Sequence, residues 1–171
     1  MSDTPTLATP RLTLRCLAPD DAAALFPAMA DPAVMRWWSR GPFVDEAELR
    51  RYFADRAAGT RYWAVMDTPG VIGFVFAAER RPGVSEIGYL IGPAHWGRGV
   101  AREAVSAVIT HLFASGTRRI FADVDPDAQA SARLLERLGF VCEGRLREEW
   151  QTHIGVRDTL LYALLAREWR G

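Results

Sequence analysis

Two glycines placed between a strand-like run and a helix-like run give this chain its clearest chemical signal. In His95-Trp96-Gly97-Arg98-Gly99-Val100-Ala101-Arg102-Glu103-Ala104 they follow the β-rich Glu86-Ile87-Gly88-Tyr89-Leu90-Ile91. They precede Ala101 to Ala114, an alanine- and valine-rich stretch with apolar residues at helical spacing. The glycines are thus expected at a helix N-terminus. The first backbone N–H groups there lack intrahelical partners and the helix dipole is positive, so a pyrophosphate can collect several hydrogen bonds without a lysine. Glycine permits the close approach, although the same pair would also serve a tight strand-to-helix turn.

The elements that must hold this loop are legible as hydrophobic patterns. Arg11 to Leu17 alternates apolar and polar residues as a half-buried strand does. Pro19-Asp20-Asp21 predicts a helix over Ala22 to Met29, and Asp31-Pro32 a short helix carrying Met35, Trp37 and Trp38. A third helix starts at Asp45-Glu46-Ala47-Glu48 and runs to about residue 58, closed by Gly59. Tyr62 to Asp67, Val71 to Glu79 and Ser85 to Ile91 are short β-rich runs. The turn signals Thr68-Pro69-Gly70 and Arg81-Pro82-Gly83 separate them, predicting an antiparallel meander. Beyond the glycine loop a strand (Arg118 to Val124), a helix (Ala128 to Leu138) and a strand from Phe140 complete a βαβαβ run with consecutive strands parallel. Val141 to Gln151 and Arg157 to Leu165 predict a closing antiparallel pair around His153-Ile154-Gly155. The fold class is α/β (α+β): a mixed sheet of six to seven strands, antiparallel in its N-terminal half and flanked by helices.

Composition narrows the function. With 171 residues, 49% of them hydrophobic, the chain suits one domain over residues 1–171 with its core at about 9–169. Lysine plus arginine and aspartate plus glutamate each total 21, so the basic footprint of a nucleic-acid binder is missing. No apolar run of 18 residues occurs and Met1 to Pro10 is polar, so neither a membrane partner nor secretion is expected, and the reading is cytoplasmic. Cys16 and Cys142 have no metal-like or paired spacing and are expected to be buried thiols; no metal ligand set is visible.

Four ordered pieces then carry a family resemblance over nearly the whole chain. They are Thr9-Pro10-Arg11-Leu12-Thr13-Leu14-Arg15, Glu86-Ile87-Gly88-Tyr89 leading into Trp96-Gly97-Arg98-Gly99-Val100-Ala101, Ser131 to Phe140, and Gly155-Val156-Arg157-Asp158 before Tyr162. In this order and spacing the sequence resembles the GNAT N-acetyltransferase superfamily, in its RimJ/RimL-like branch. In that family the glycine loop binds the pyrophosphate of acetyl-CoA, its motif opening with glutamine or arginine and carrying glycine, then glycine or alanine, at the fourth and sixth positions. Gly99 and Ala101 match, and Trp96 takes the first position. The resemblance implies acetyl-CoA as co-substrate, held by the backbone of Gly97, Arg98, Gly99, Val100, Ala101 and Arg102. It further implies a splayed strand at Tyr89, Leu90 and Ile91 that pairs with the pantetheine arm.

The resemblance also implies roles in acetyl transfer. Glu86 becomes the acceptor of the amine proton, through water, with Glu148, Glu149 and Asp158 as competing carboxylates. Many members place a proton-donating tyrosine where this chain has Leu135, and Ser131 matches the serine that replaces it in this branch, within reach of the CoA sulfur. Ala128 stands where an asparagine is common, so Asp125 or Asp127 is expected to cap that helix. Trp37, Trp38 and Trp150 are candidate walls for the acceptor; Met35 and Phe43 belong to the same aromatic region, which equally suits core packing, and His153 lies in the late loop beside Gln151. The expected function is direct transfer, in a ternary complex, from acetyl-CoA to a small-molecule amine or a peptide or protein N-terminus, by a monomer or homodimer. A non-catalytic acyl-CoA sensor is the alternative. A dinucleotide-binding oxidoreductase fits less well, because Arg102 stands where a third glycine would be and the preceding strands form a meander.

Overall fold

The computed structural model describes every residue except Met1–Asp3, Arg56, Ala58 and Pro69. Eight strands form one sheet in the order β1-β2-β3-β4-β5-β6-β8-β7: β1 Leu7–Ala8, β2 Thr13–Cys16, β3 Thr60–Asp67, β4 Gly70–Arg81, β5 Val84–Ile91, β6 Arg119–Val124, β7 Val141–Thr152 and β8 Gly155–Leu165. The helices are α1 Ala22–Met29, α2 Pro32–Met35, α3 Glu46–Ala54, α4 Val100–Ala114 and α5 Gln129–Arg137. The extra strand beyond the expected six or seven is β1, two residues paired with Leu14 and Thr13, too short to leave a periodic signal.

The predicted meander is present, β3, β4 and β5 pairing antiparallel in sequence. Pro69 of its first turn signal lies outside the described residues. The βαβαβ expectation needs correcting in the second half. Only β5 and β6 are parallel neighbours, because β8 inserts antiparallel between β6 and β7 and puts β7 at the sheet edge. A crossover fixes strand direction but leaves the slot beside it open, and the β7–β8 hairpin fills that slot with its second strand.

Alternation along the strands divides the buried residues between two faces. One cluster joins Trp63, Val65, Val75, Ile87, Ile120 and Val124 to Val105, Ile109 and Leu112 of α4 and Leu135 of α5. The other joins Ala64, Phe74 and Leu90 to Leu25 and Met29 of α1, Met35 of α2 and Leu49 and Phe53 of α3. Asp31 and Asp45 start α2 and α3, their carboxylates accepting from Ala33 N (2.8 Å) and Glu48 N (2.7 Å). Helix α2 ends at Met35, leaving Trp37 and Trp38 in the turn beyond it, and α3 ends at Ala54, earlier than its apolar spacing suggested. Arg56 and Ala58 of the expected extension lie outside the described residues. Cys16 and Cys142 are exposed, not buried: Cys16 closes β2 where the chain turns away, and Cys142 lies on the edge strand.

Candidate active site

Strands β5 and β6 pair only through Val84↔Arg119, Ser85↔Ile120 and Glu86↔Phe121, and past Glu86 the ladder stops while both strands continue. On its other side β5 stays paired with β4 as far as Ile91. Since Gly92 N donates to Ile72 O, alternation turns the N–H and C=O groups of Tyr89 and Ile91 away from β4, into the split. A cleft of about 1180 Å³ occupies it. Residues of both sheet faces line this cleft: Tyr89, Val100, Ser131 and Leu135 from the α4–α5 side, Trp38, Tyr62, Phe76 and Glu86 from the side of α1–α3. Gly88 lets the cleft floor lie flat, because a Cβ there would collide with the Phe76 ring.

The glycine loop closes one end. Gly97 (φ 72°) and Gly99 (φ 76°) adopt left-handed backbone that other L-residues enter at a cost, and Gly99 caps α4. The first bond of the helix runs from Glu103 N to Gly99 O (3.0 Å). Among the described residues nothing accepts from the six successive N–H groups of Gly97 through Arg102. Trp96, at the departing motif position, donates its indole N–H to Ile91 O (2.6 Å) and so hooks the loop to the splayed strand. Gly97, Gly99, Val100, Ala101 and Arg102 line the cleft. Arg98 does not: its side chain lies beside His95, and its carbonyl accepts from Arg11 Nη1 (3.0 Å).

Glu103 anchors the N-terminal Thr9-Pro10-Arg11 piece against the first turn of α4. It accepts from Thr9 Oγ1 (2.6 Å), Arg11 N (3.0 Å) and Arg11 Nε (2.7 Å). Burial raises its pKa, but these bonds and the Arg11 charge outweigh burial and hold the carboxyl below its ordinary value. Asp125 behaves alike, burial being outweighed by Arg157, whose Nε and Nη2 donate to it at 2.8 and 2.9 Å. Arg157 also bonds Asp127 (2.6 Å) and lies over the Trp37 ring, so the two aspartates expected to cap α5 instead pin β8 to the β6–α5 loop. Ala128 caps that helix without a side-chain bond.

Asp123 on β6, a residue that sequence reasoning passed over, is held against both burial and like charge. Burial pushes its pKa up and the charges of Glu86 and Glu149 push the same way, against the Trp150 indole and Arg80. The depressed and raised groups act on stability with opposite signs. Glu103 and Asp125 contribute stability that is present above the usual carboxylate pKa of about 4 and lost as pH falls through their lower folded values. Asp123 contributes most below that pKa, its contribution vanishing as pH rises through its raised value. Acid titration by circular dichroism should therefore show unfolding below about pH 4, with a shallower acid limb in Asp125→Asn; identical limbs would deny Asp125 that role.

Glu86 lines the cleft with Oε2 held by Arg80 Nε (2.7 Å) and Nη2 (2.6 Å). Ser131 is half-buried in the first turn of α5 beside the Tyr89 phenol: its backbone oxygen accepts from Tyr89 Oη (3.5 Å), and burial pushes the phenol's pKa up against a side-chain hydrogen bond to Ser131 that lowers it. Leu135, fully buried, is core in place of a hydroxyl. Trp37, Trp38 and Trp150 all line the cleft, whereas Met35 and Phe43 are buried outside it and His153 and Gln151 are exposed away from it. Asp158 is committed to Arg145 (2.7 Å) and to Glu148 N (2.9 Å), fixing a β7 bulge at which Glu148 takes φ 53°. Glu148 and Glu149 are exposed and do not line the cleft.

A mixed sheet parted beside a glycine-capped helix is the architecture of an acyl-CoA-dependent transferase. The acetyltransferase (GNAT) domain matches residues 11–141, and the chain belongs to the GNAT acetyltransferase family. Among curated proteins it is similar to the uncharacterized N-acetyltransferase p20 of Bacillus licheniformis, 35% identical over 176 residues that cover 97% of this chain and 99% of that one. Ribosomal-protein-serine acetyltransferase of Escherichia coli is 34% identical over 80 residues, covering 46% of this chain and 45% of that one. Among solved structures, a GNAT-family acetyltransferase from Chromobacterium violaceum superposes with TM-score 0.90 at 28% identity, covering 98% of this chain and 90% of that chain. Spermidine N-acetyltransferase from Vibrio cholerae, in complex with CoA and spermine, superposes with TM-score 0.82 at 25% identity, covering 94% and 98%. The chain is accordingly a GNAT N-acetyltransferase.

Proposed function

We propose that residues 1–171 act as one acetyltransferase domain. It moves an acetyl group from acetyl-CoA to a primary amine, a small molecule or a peptide N-terminus, by direct attack in a ternary complex. One observation carries this reading: a strand with unpaired backbone on one side runs into six unpartnered N–H groups at a helix start. Those two features fit two adjoining parts of a CoA molecule. The N–H groups of Gly97 to Arg102 suit the pyrophosphate, with Arg102 adding charge, and the N–H and C=O of Tyr89 and the N–H of Ile91, turned into the split on either side of Leu90, suit the amides of the pantetheine arm, the Ile91 C=O being taken by Trp96. Bound there, the co-substrate supplies an activated acetyl thioester.

The protein's own groups then do three things. Glu86 faces the split with Oε1 uncommitted and accepts a hydrogen bond from the amine or from a relaying water. Ser131 offers its hydroxyl to the leaving sulfur, the task that Leu135 cannot perform. Trp37, Trp38 and Trp150 exclude water from the acceptor side. The acceptors in the names of the Vibrio and Escherichia relatives, a polyamine and a ribosomal protein, support an amine as substrate.

The test is thiol release from acetyl-CoA with a panel of primary amines and peptides, followed by mass spectrometry of the products. Glu86→Gln and Ser131→Ala should each lower kcat at least about tenfold while CoA still binds. If neither changes the rate, the catalytic assignments are wrong; CoA binding without turnover on any amine would favour an acyl-CoA sensor.

A further inference from the structure

Five carboxylates line the cleft: Glu86, Asp123, Asp125, Asp127 and Asp158. Four hold cations: Glu86 binds Arg80, Asp125 and Asp127 bind Arg157, and Asp158 binds Arg145. Asp123 alone has no ion-pair partner among the described residues. We infer that Asp123 is the proton acceptor for the incoming amine, and that Glu86, fixed by Arg80, is the charge that makes it basic enough. This deepens the acetyl-transfer reading above and rests on it.

The placement follows from the register. Glu86 is the last residue of β5 paired to β6, and its partner is Phe121. In a parallel pair opposed residues share a face, and Asp123 lies two residues past Phe121, so both carboxylates face the side of α1–α3 at the point where the strands part. Ala122 and Val124, between and beyond, are buried against α4 and α5. Asp123 therefore lies at the split on the acceptor side, while Ser131 borders the cleft from α5.

The charged and polar groups around Asp123 come from strands to both sides of β6: Glu86 on β5 and Arg80 on β4 to one side, Glu149 and Trp150 on β7, beyond β8, to the other. Two carboxylates in a half-buried cleft resist carrying two negative charges, so a proton arriving there is favoured. Arg80 bonds directly to Glu86 and stabilises that anion, leaving Asp123 as the member that takes the proton. His95, the histidine bordering the cleft, lies in the glycine loop against Arg98.

An alkylammonium gives one proton to the Asp123 carboxylate and becomes the neutral amine. Its nitrogen bonds to the thioester carbonyl carbon, the C–S bond breaks, and the second nitrogen-bound proton ends on the departing sulfur by way of Ser131. Asp123 returns its proton to solvent when the amide leaves.

Asp123→Asn keeps the side-chain shape but cannot take a proton. It should lower kcat/KM for the amine about 100-fold at pH 7, leave the CoA dissociation constant within about twofold, and regain activity toward high pH as the amine deprotonates in solution. A loss in KM alone with an unchanged pH profile, or less than about a threefold effect, overturns the assignment. A second readout needs no turnover: carbon-13 NMR of aspartate carboxyls, with the Asp123 signal identified by its absence in Asp123→Asn. That signal should titrate above the usual aspartate range in the native protein and move down in Glu86→Gln; an ordinary titration overturns the proposal even in an active enzyme. A native protein that acetylates no primary amine or peptide would instead sink the acetyl-transfer reading, and the Asp123 assignment with it.

Discussion

Gly99→Val should weaken CoA binding by about two orders of magnitude, roughly 3 kcal/mol, while α4 still forms. Gly99 has φ 76°, a conformation that costs an L-residue about 1–2 kcal/mol and a β-branched one more. Valine escapes by rotating its backbone, and that rotation re-aims the following N–H groups of Val100, Ala101 and Arg102. A charge-assisted hydrogen bond contributes about 1.5–3 kcal/mol, so misdirecting two of them accounts for the loss. Steric blocking contributes little, since a Cβ there meets nothing nearer than an Arg11 nitrogen at 3.5 Å. Isothermal titration with CoA measures the effect. Gly99→Ala should lose less, and equal losses for the two variants would point away from backbone direction as the cause.

Trp63→Ala should destabilise the protein by about 3–5 kcal/mol, a large part of the 5–15 kcal/mol typical of a domain. Trp63 is fully buried at the middle of β3, beneath α4, with its ring 5.9 Å edge-on from His111 and its indole N–H donating to Pro5 O (2.9 Å). Truncation leaves a cavity between sheet and helix and frees the N-terminal segment. Chemical denaturation gives the loss directly, and Trp63→Phe should recover much of it. The N-terminus of α4 also carries the unpartnered N–H groups, so the alanine variant should bind CoA more weakly near its unfolding midpoint than well below it. A loss under about 1 kcal/mol would mean the site collapses around the gap.

The parts legible in the sequence are those whose cause is local. Gly97 and Gly99 between a β-rich run and a helical run located the α4 start to within a residue, because left-handed backbone and helix periodicity are local properties. Glu86, Tyr89 and Ser131 were placed through the family resemblance, and the fold brings all three to one cleft. Asp123 was missed for a physical reason. Phe121-Ala122-Asp123-Val124 shows the alternation that puts Asp123 opposite the buried residues, but which face bears the cleft depends on where the β5–β6 ladder stops. That is a long-range property. The position of β8 between β6 and β7 was hidden likewise, since strand order depends on which slot a hairpin fills. Asp125 and Asp127 looked like helix caps because their partner, Arg157, lies some thirty residues away along the chain.

The parting of β5 and β6 has a kinetic consequence. In the acetyl-transfer reading proposed above, a cleft lined from both faces of the sheet would let the thioester and the amine enter from opposite sides, so that neither would have to leave before the other entered. A compound that joins CoA to an amine through its sulfur would thread the sheet from one entrance to the other, gaining the affinity of both halves at a single entropic cost. Such a bisubstrate ligand should compete with each substrate at once. Its tolerance for linker length would measure the thickness of the sheet at the split, reporting in solution on a gap between two strands.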